Sequence, residues 1–426
     1  MKTNQLRMIS ALALMCCCTC VKGVNIDGLD YTLYQGNYTA MVNNGNSWVG
    51  DLEIPSQVTF DKKTYTVTAI EWLAFEGCQT LTRVHIPATV STIFHYADYE
   101  DCKNPFDNCS NLEAIDVDPD NNWMCSVDGV LFNNDMTQLW CLPAGAKLEK
   151  YDVPESVTWI GGDAFSGNKY LREVNLPDGV EHLSFGVFSG CENIESLKLP
   201  RGLTYIPASM FRNMSSLRSI TIPSNVTGMG EYAFGWCTSL ESIVFPEGIE
   251  SLVGQTFYGC TSLKSVELPS TLGAITNGMF CNCSTLTDIH ISNGTTQILS
   301  NAFYGCTSLR ALDIPASVNA ISPCAFYGCK LDAMVIRGTL NHPVRSIFSG
   351  LDISTPIYTL SSQVNTIEAL YDGPVYSLDN YNLPTDISSI HLKETNRGVC
   401  YDLNGRCVHN PKAGIYIFNR KKVITQ

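Results

Sequence analysis

Beyond its first two dozen residues the sequence has no apolar run approaching the 18 residues that a membrane-crossing helix needs. It is also poor in charge, with 16% Asp, Glu, Lys and Arg, and what charge there is lies out of balance: 41 acidic against 27 basic residues, a formal net charge of -14. Such a surface repels phosphates, so no nucleic-acid partner is expected. The acidic residues are spread along the chain and not gathered in blocks, which is the pattern of a solvated surface. Histidine is scarce, and His85, His95, His182, His290, His342, His391 and His409 are dispersed. There is no HExxH, no GxSxG, no glycine-rich phosphate loop and no paired-cysteine zinc spacing. The expectation is a protein that is not an enzyme, with no catalytic residues, no cofactor and no metal. Two carboxylates converging from distant segments, as glycoside hydrolysis requires, are the one chemistry this leaves open.

What is present begins with a leader. Lys2 and Arg7 precede an apolar run from Met8 to about Val21, the charged and hydrophobic regions of a secretory signal. Val21 and Gly23 supply the residues for a cleavage site, giving a mature chain from about Val24. Cys16, Cys17, Cys18 and Cys20 keep a lipoprotein reading open, although the residues before them are bulkier than a lipobox normally shows. Hydrophobic content of 45% is enough for a large core.

The core has a period. Phe165, Phe188, Phe211, Phe234, Phe257, Phe280, Phe303 and Phe326 stand 23 residues apart, each inside a longer phrase such as NAFYGCTSLRALDIPASVNAI from Asn301 to Ile321. Leu312-x-Ile314 alternates as a half-buried strand does, and Pro315 ends it. Each coil is expected to lay one short strand parallel to the last, and no coil buries its apolar side alone. Phe75 and Phe106 belong to the series with insertions. Between Phe106 and Phe165, Val130-Leu131-Phe132 and Gln138-Leu139-Trp140 flank a turn at Asn133-Asn134-Asp135, which predicts a hairpin projecting from the stack.

The phrase AFxGCxxLxxVxIPxxVxxI resembles the BspA-type leucine-rich repeat of Bacteroidetes surface proteins, and SVDGVLFNNDMTQL resembles a hairpin insertion frequent in that family. Asn168 and Met214 depart from it in place of the cysteine, Ser292 and Arg337 in place of the proline. The resemblance implies a leucine-rich-repeat solenoid with parallel short β-strands, capped by β-rich segments. It also implies export to the cell surface or medium, and adhesion to host or microbial protein or glycan. The segments VCYDLNGRCV and AGIYIFN resemble the C-terminal β module of exported Bacteroidetes proteins. The domain reading is a signal peptide over 1–23 and an N-terminal β cap over 24–62. A solenoid follows over 63–337, with its insertion at about 119–149, then a C-terminal cap over 338–383 and a small β module over 384–426. A monomer is expected.

Cys78, Cys109, Cys191, Cys237, Cys260, Cys283, Cys306 and Cys329 each follow a repeat Phe by three residues, and such a column reads as small buried hydrophobes, each with a weak donor. Cys125 and Cys141 flank the insertion and are the better candidates for a disulfide. Cys400 and Cys407, about a two-residue turn at Asn404-Gly405, lie diagonal and are poorly placed for one. The outward strand positions offer a binding face: Arg83, His85, Asp116, Glu173, Asn175, Lys198, Thr221, Val244, Glu267, Asp288, His290 and Asp313. Trp123, Phe132 and Trp140 offer an alternative contact on the insertion. A structural protein of the envelope and a carbohydrate-active enzyme are the competing readings.

Overall fold

The repeat phrase is a succession of tight turns. Phe75 C=O accepts from Cys78 N–H at 2.9 Å, and in later coils Cys260 N–H bonds Phe257 C=O and Leu263 N–H bonds Cys260 C=O at 3.2 and 3.1 Å. The strand-ending proline has no N–H to leave unpaired, and its carbonyl closes a third turn, as in Val180 N–H to Pro177 C=O and Val318 N–H to Pro315 C=O. These turns bring Phe, Cys, Leu and Val of each coil to one interior.

The computed structural model describes residues 20–93 and 104–379, together with the backbone of 400–401, 407–408, 414–418 and 421–425. Residues 1–19 of the leader, His95, His391, His409 and the Asn404-Gly405 turn lie outside the described residues. The chain forms two units, residues 1–203 with 209–214 and residues 204–208 with 215–426. Each is a parallel β-solenoid.

In the N-terminal unit the strands Cys20–Ile26, Leu29–Tyr34 and Thr39–Asn44 form an antiparallel meander, and the third pairs in parallel with Lys63–Ile70. One ladder of coil strands then runs Gly50–Glu53, Leu81–Ile86, Ala114–Val117, and it resumes as Lys150–Asp152 and Glu173–Asn175. A second ladder, Gln138–Cys141, Trp159–Ile160 and His182–Leu183, runs along another side of the coils. The single strand per coil read from the phrase is thus corrected to two. The second is the Val-x-x-Ile end of the phrase, only two residues long and too short for alternation to show.

The C-terminal unit repeats both ladders. Ser242–Ile243, Ser265–Glu267 and Asp288–His290 form one stretch of the first, and Ala311–Ile314, Ala333–Ile336, Ile357–Thr359 and Val375–Ser377 form the next. The second includes Tyr205–Ile206, Gly228–Met229 and Ser251–Leu252. A short α-helix, Val364–Glu368, precedes the strand Val375–Ser377. Farther on, Tyr401 stands opposite Cys407 and Cys400 opposite Val408. The register expected from a two-residue turn at Asn404-Gly405 is therefore corrected by one residue.

The phenylalanine column is the core. All eight members at the strict spacing are 0% exposed. Rings in successive coils stack: Phe165 on Phe188 at 5.1 Å in the N-terminal unit, and Phe234, Phe257, Phe280, Phe303 and Phe326 at 5.4 to 6.0 Å in the C-terminal one. The cysteine column uses its weak donors to bond the coils. The thiols of Cys191, Cys260, Cys283, Cys306 and Cys329 each donate at 3.1 Å to the carbonyl of the phenylalanine 26 residues earlier. Desolvation pushes the Cys191, Cys260 and Cys329 thiols up to about 12. Asn168, where the cysteine is missing, meets a different neighbour. Its Nδ2 donates to Pro143 and Ala146 carbonyls at 3.1 and 3.0 Å, while its Oδ1 accepts from Tyr170 and Leu171 N–H. A thiol has one donor and cannot replace that set.

The insertion does not project. Val130–Asn133 pairs with Met124–Val127 and Gln138–Cys141, and the last continues as the first strand of a solenoid ladder. Leu131, Phe132 and Leu139 are buried accordingly. Cys125 and Cys141 are free, with the strand Val130–Asn133 between them.

Candidate functional site

The strand pattern that sends Val84, Val174, Val266 and Ile289 inward sends their neighbours outward, so each unit presents a sheet face. In the N-terminal unit the outward charges satisfy one another across coils. Arg83 pairs with Asp116 at 2.5 Å, and His85 Nε2 lies 3.6 Å from Glu53 Oε1. Lys150 holds Glu173 at 2.8 Å, and Asn175 Nδ2 donates to Asp152 and Glu173 at 2.6 and 3.0 Å. The Lys150 hydrogen bond, then that of Asn175, holds the Glu173 carboxyl below its ordinary range. A carboxylate so held stays charged, the wrong state for a general acid. Lys198 lies 3.8 Å from Asp178.

Asp51, Glu53, Lys150 and Asp152 belong to this face and were missed. Leu52-Glu53-Ile54-Pro55 carries the strand-and-proline signal within the segment read as cap, and Tyr151-Asp152-Val153-Pro154 carries it just after the one read as insertion.

In the C-terminal unit Thr221 bridges to Val244, and Glu267 stands opposite His290 and Ser265 opposite Asp288. Thr221, Glu267 and His290 are exposed, and Val244 is 79% exposed. Beside Val244 lies a shallow hollow lined by Ser219, Thr221, Ser242, Phe245 and Pro246. Asp313 is the exception among the outward residues: its side chain is 0% exposed, clasped by Arg337 through Nε at 2.7 Å and a terminal nitrogen at 2.6 Å. The cause is a change in the face. Ala311, Ala333, Val335 and Tyr358 make a separate apolar cluster there, with Tyr376 and Leu378 packed on it. A charge within such a cluster persists because it is paired. Asp313 is therefore removed from the binding face. Phe132, fully buried, is removed from the insertion contact, Trp140 is half-buried with its ring N–H on Gln138, and Trp123 is 60% exposed.

Among the described residues no group of three or more His, Cys, Asp or Glu is placed to hold a metal ion, and no helix is long and apolar enough to cross a membrane. The chain matches the BspA type leucine-rich repeat region over residues 56–134, 144–252 and 228–354, more than half its length.

The chain belongs to that family.

Among solved structures it is similar to a leucine-rich repeat protein from Bacteroides ovatus, 26% identical, with a TM-score of 0.51 over 83% of this chain and 99% of that one. It is also similar to a leucine rich cell surface protein from Faecalibacterium prausnitzii, 23% identical, with a TM-score of 0.43 over 81% and 97%. No curated protein matches it.

Proposed function

We propose that this BspA-type protein is exported to the cell surface or medium and binds a macromolecular partner, a host or microbial protein, without catalysing a reaction. The observation that carries the reading is the difference between the two sheet faces. In the N-terminal unit the outward charges are engaged with one another across coils. In the C-terminal unit Thr221, Val244 and Glu267 stand open beside a hollow, and Val244 is apolar and 79% exposed. An exposed apolar side chain within a polar rim is the composition of a protein contact. The leader over residues 1–23 supports export.

The test is surface plasmon resonance of the mature chain against purified extracellular-matrix and microbial surface proteins. A partner should bind the wild type and Arg83→Ala alike and lose on the order of tenfold or more in affinity for Val244→Arg. Absence of any bound protein, or binding indifferent to Val244→Arg, defeats the reading.

A further inference from the structure

Five successive coils of the C-terminal unit share a flank without charge. From two residues before the buried phenylalanine to two after it they read YAFGW (232–236), QTFYG (255–259), GMFCN (278–282), NAFYG (301–305) and CAFYG (324–328). The same positions in the N-terminal unit hold Glu76, Asp107, Asp163 and Arg212, and no aromatic ring apart from the buried column.

The aromatic side chains on this flank are surface groups. Tyr304 and Tyr327 are 37% and 43% exposed, with parallel rings 5.0 Å apart. Parallel rings at that centroid distance are offset, so part of each face stays open. Tyr232, Trp236 and Tyr258 form a second group, with Trp236 stacked on Tyr232 at 5.3 Å and 4.8 Å from Tyr258. Asn282 Nδ2 donates to the Tyr258 hydroxyl at 3.2 Å, which places an amide between the two groups.

Trp236 is held against its backbone. It has φ +58°, at the coil position where Gly77, Gly167, Gly190, Gly259, Gly305 and Gly328 also have positive φ. Glycine and asparagine adopt that conformation readily, whereas a bulky side chain is strained in it. Core packing does not explain the indole, which is only half-buried. Tyr232, in the same coil, has φ +52°. That left-handed turn is common to the fold, shared by Leu73, Asp163, Ser209, Gln255, Asn301 and Cys324, so the departure is Trp236 alone, and strain retained at a surface points to contact with another molecule.

We infer that this flank binds a neutral glycan chain, the rings of Trp236 and Tyr258 and then of Tyr304 and Tyr327 meeting the C–H faces of its pyranoses and the amides of Asn282 and Gln255 meeting their hydroxyls. Flat apolar faces with a few uncharged donors match a ligand that is apolar on its ring faces and polar at its rim. These five coil positions hold no charge, the exposed Glu231 standing one residue before them, which on a chain of net charge -14 suits a neutral ligand and not a basic one. Coils separated by about 4.8 Å advance by roughly the size of one sugar ring. The inference is independent of the sheet-face proposal, because it uses other residues and another ligand.

The experiment is calorimetric titration of the full mature chain with hexasaccharides of β-1,4-glucose, β-1,4-mannose and α-1,4-glucose, and with a proline-rich peptide, which also favours aromatic grooves. At least one hexasaccharide should bind. Trp236→Gly should weaken it on the order of tenfold or more while the chain still melts cooperatively, the stacking lost on Tyr232 and Tyr258 being offset in part because glycine suits that backbone. Tyr304→Phe should retain binding and Tyr304→Ala should reduce it, and Val244→Arg on the sheet face should have no effect. Binding of the peptide alone, no binding of any hexasaccharide, or equal affinity in Trp236→Gly overturns the inference.

Discussion

Replacing Phe257 with alanine tests the register on which every other placement depends. Phe257 is 0% exposed, stacked between Phe234 at 5.4 Å and Phe280 at 5.7 Å with planes 7° apart in each case, and met edge-on by Phe245 at 5.9 Å. Truncating a buried phenylalanine costs about 3 to 5 kcal/mol through lost transfer energy and the cavity left behind. The ring here contacts aromatic rings on three sides, in a stack too regular to collapse into the gap, which places the loss near the upper end, about 4 to 5 kcal/mol. Glu267 lies on the exposed face of the next strand, where truncation stays within about 0.5 kcal/mol. Phe234 N–H bonds Thr256 C=O at 2.9 Å and Phe257 N–H bonds Met279 C=O at 3.0 Å. The lesion should therefore loosen the coils on either side first, and amides between Phe234 and Phe280 should exchange faster than those farther along the unit. Urea melts of Phe257→Ala and Glu267→Ala, with hydrogen exchange read by mass spectrometry, measure both effects. Equal midpoints for the two variants, or exchange accelerated evenly through the unit, would refute the reasoning.

Three further outcomes follow from the buried polar columns. Asn168→Ala should destabilise the N-terminal unit by about 2 kcal/mol or more, since it orphans the Tyr170 and Leu171 N–H groups at about 1 to 3 kcal/mol each, while the Pro143 and Ala146 carbonyls keep their bonds from Ala146 and Leu148 N–H; Asn168→Cys should not rescue it, and a urea melt in which it does removes the explanation. The coil thiols should resist alkylation in the native chain and react after denaturation. Because Cys191, Cys260 and Cys329 titrate higher folded, at about 12, than the ordinary 9.0, their contribution to stability is fully present below about pH 9 and is lost as pH rises from about 9 towards 12. Urea midpoints should thus fall between about pH 8 and about pH 10, and by less in Cys260→Ala.

The 23-residue period was legible because one coil is one packing unit: a ring, a thiol and five aliphatic side chains, Leu309, Leu312, Ile314, Val318 and Ile321 in the Phe303 coil, must return to the same interior at every turn, and their spacing is printed in the chain. The second ladder was not, because strands as short as Tyr205–Ile206 and Ser251–Leu252 have no alternation to read. Asp313 illustrates the limit for the outward face. By position it matches Glu267 and His290, and nothing in its own coil distinguishes it. Its burial is decided by Val335 and Tyr358 in the two following coils and by the Arg337 that clasps it. Those three residues are also plain in the sequence, Val335 and Tyr358 as apolar outward positions and Arg337 where the strand-ending proline should be. Read one coil at a time they are irregularities; read across coils, as columns, they spell a face that has stopped being polar. The same holds for Trp236, which as a single residue is an oddity in a glycine column, and which acquires meaning only beside Tyr232, Tyr258 and the uncharged coils that follow. In a solenoid the neighbours that decide exposure are one period away, so side-chain roles are carried by columns and not by segments.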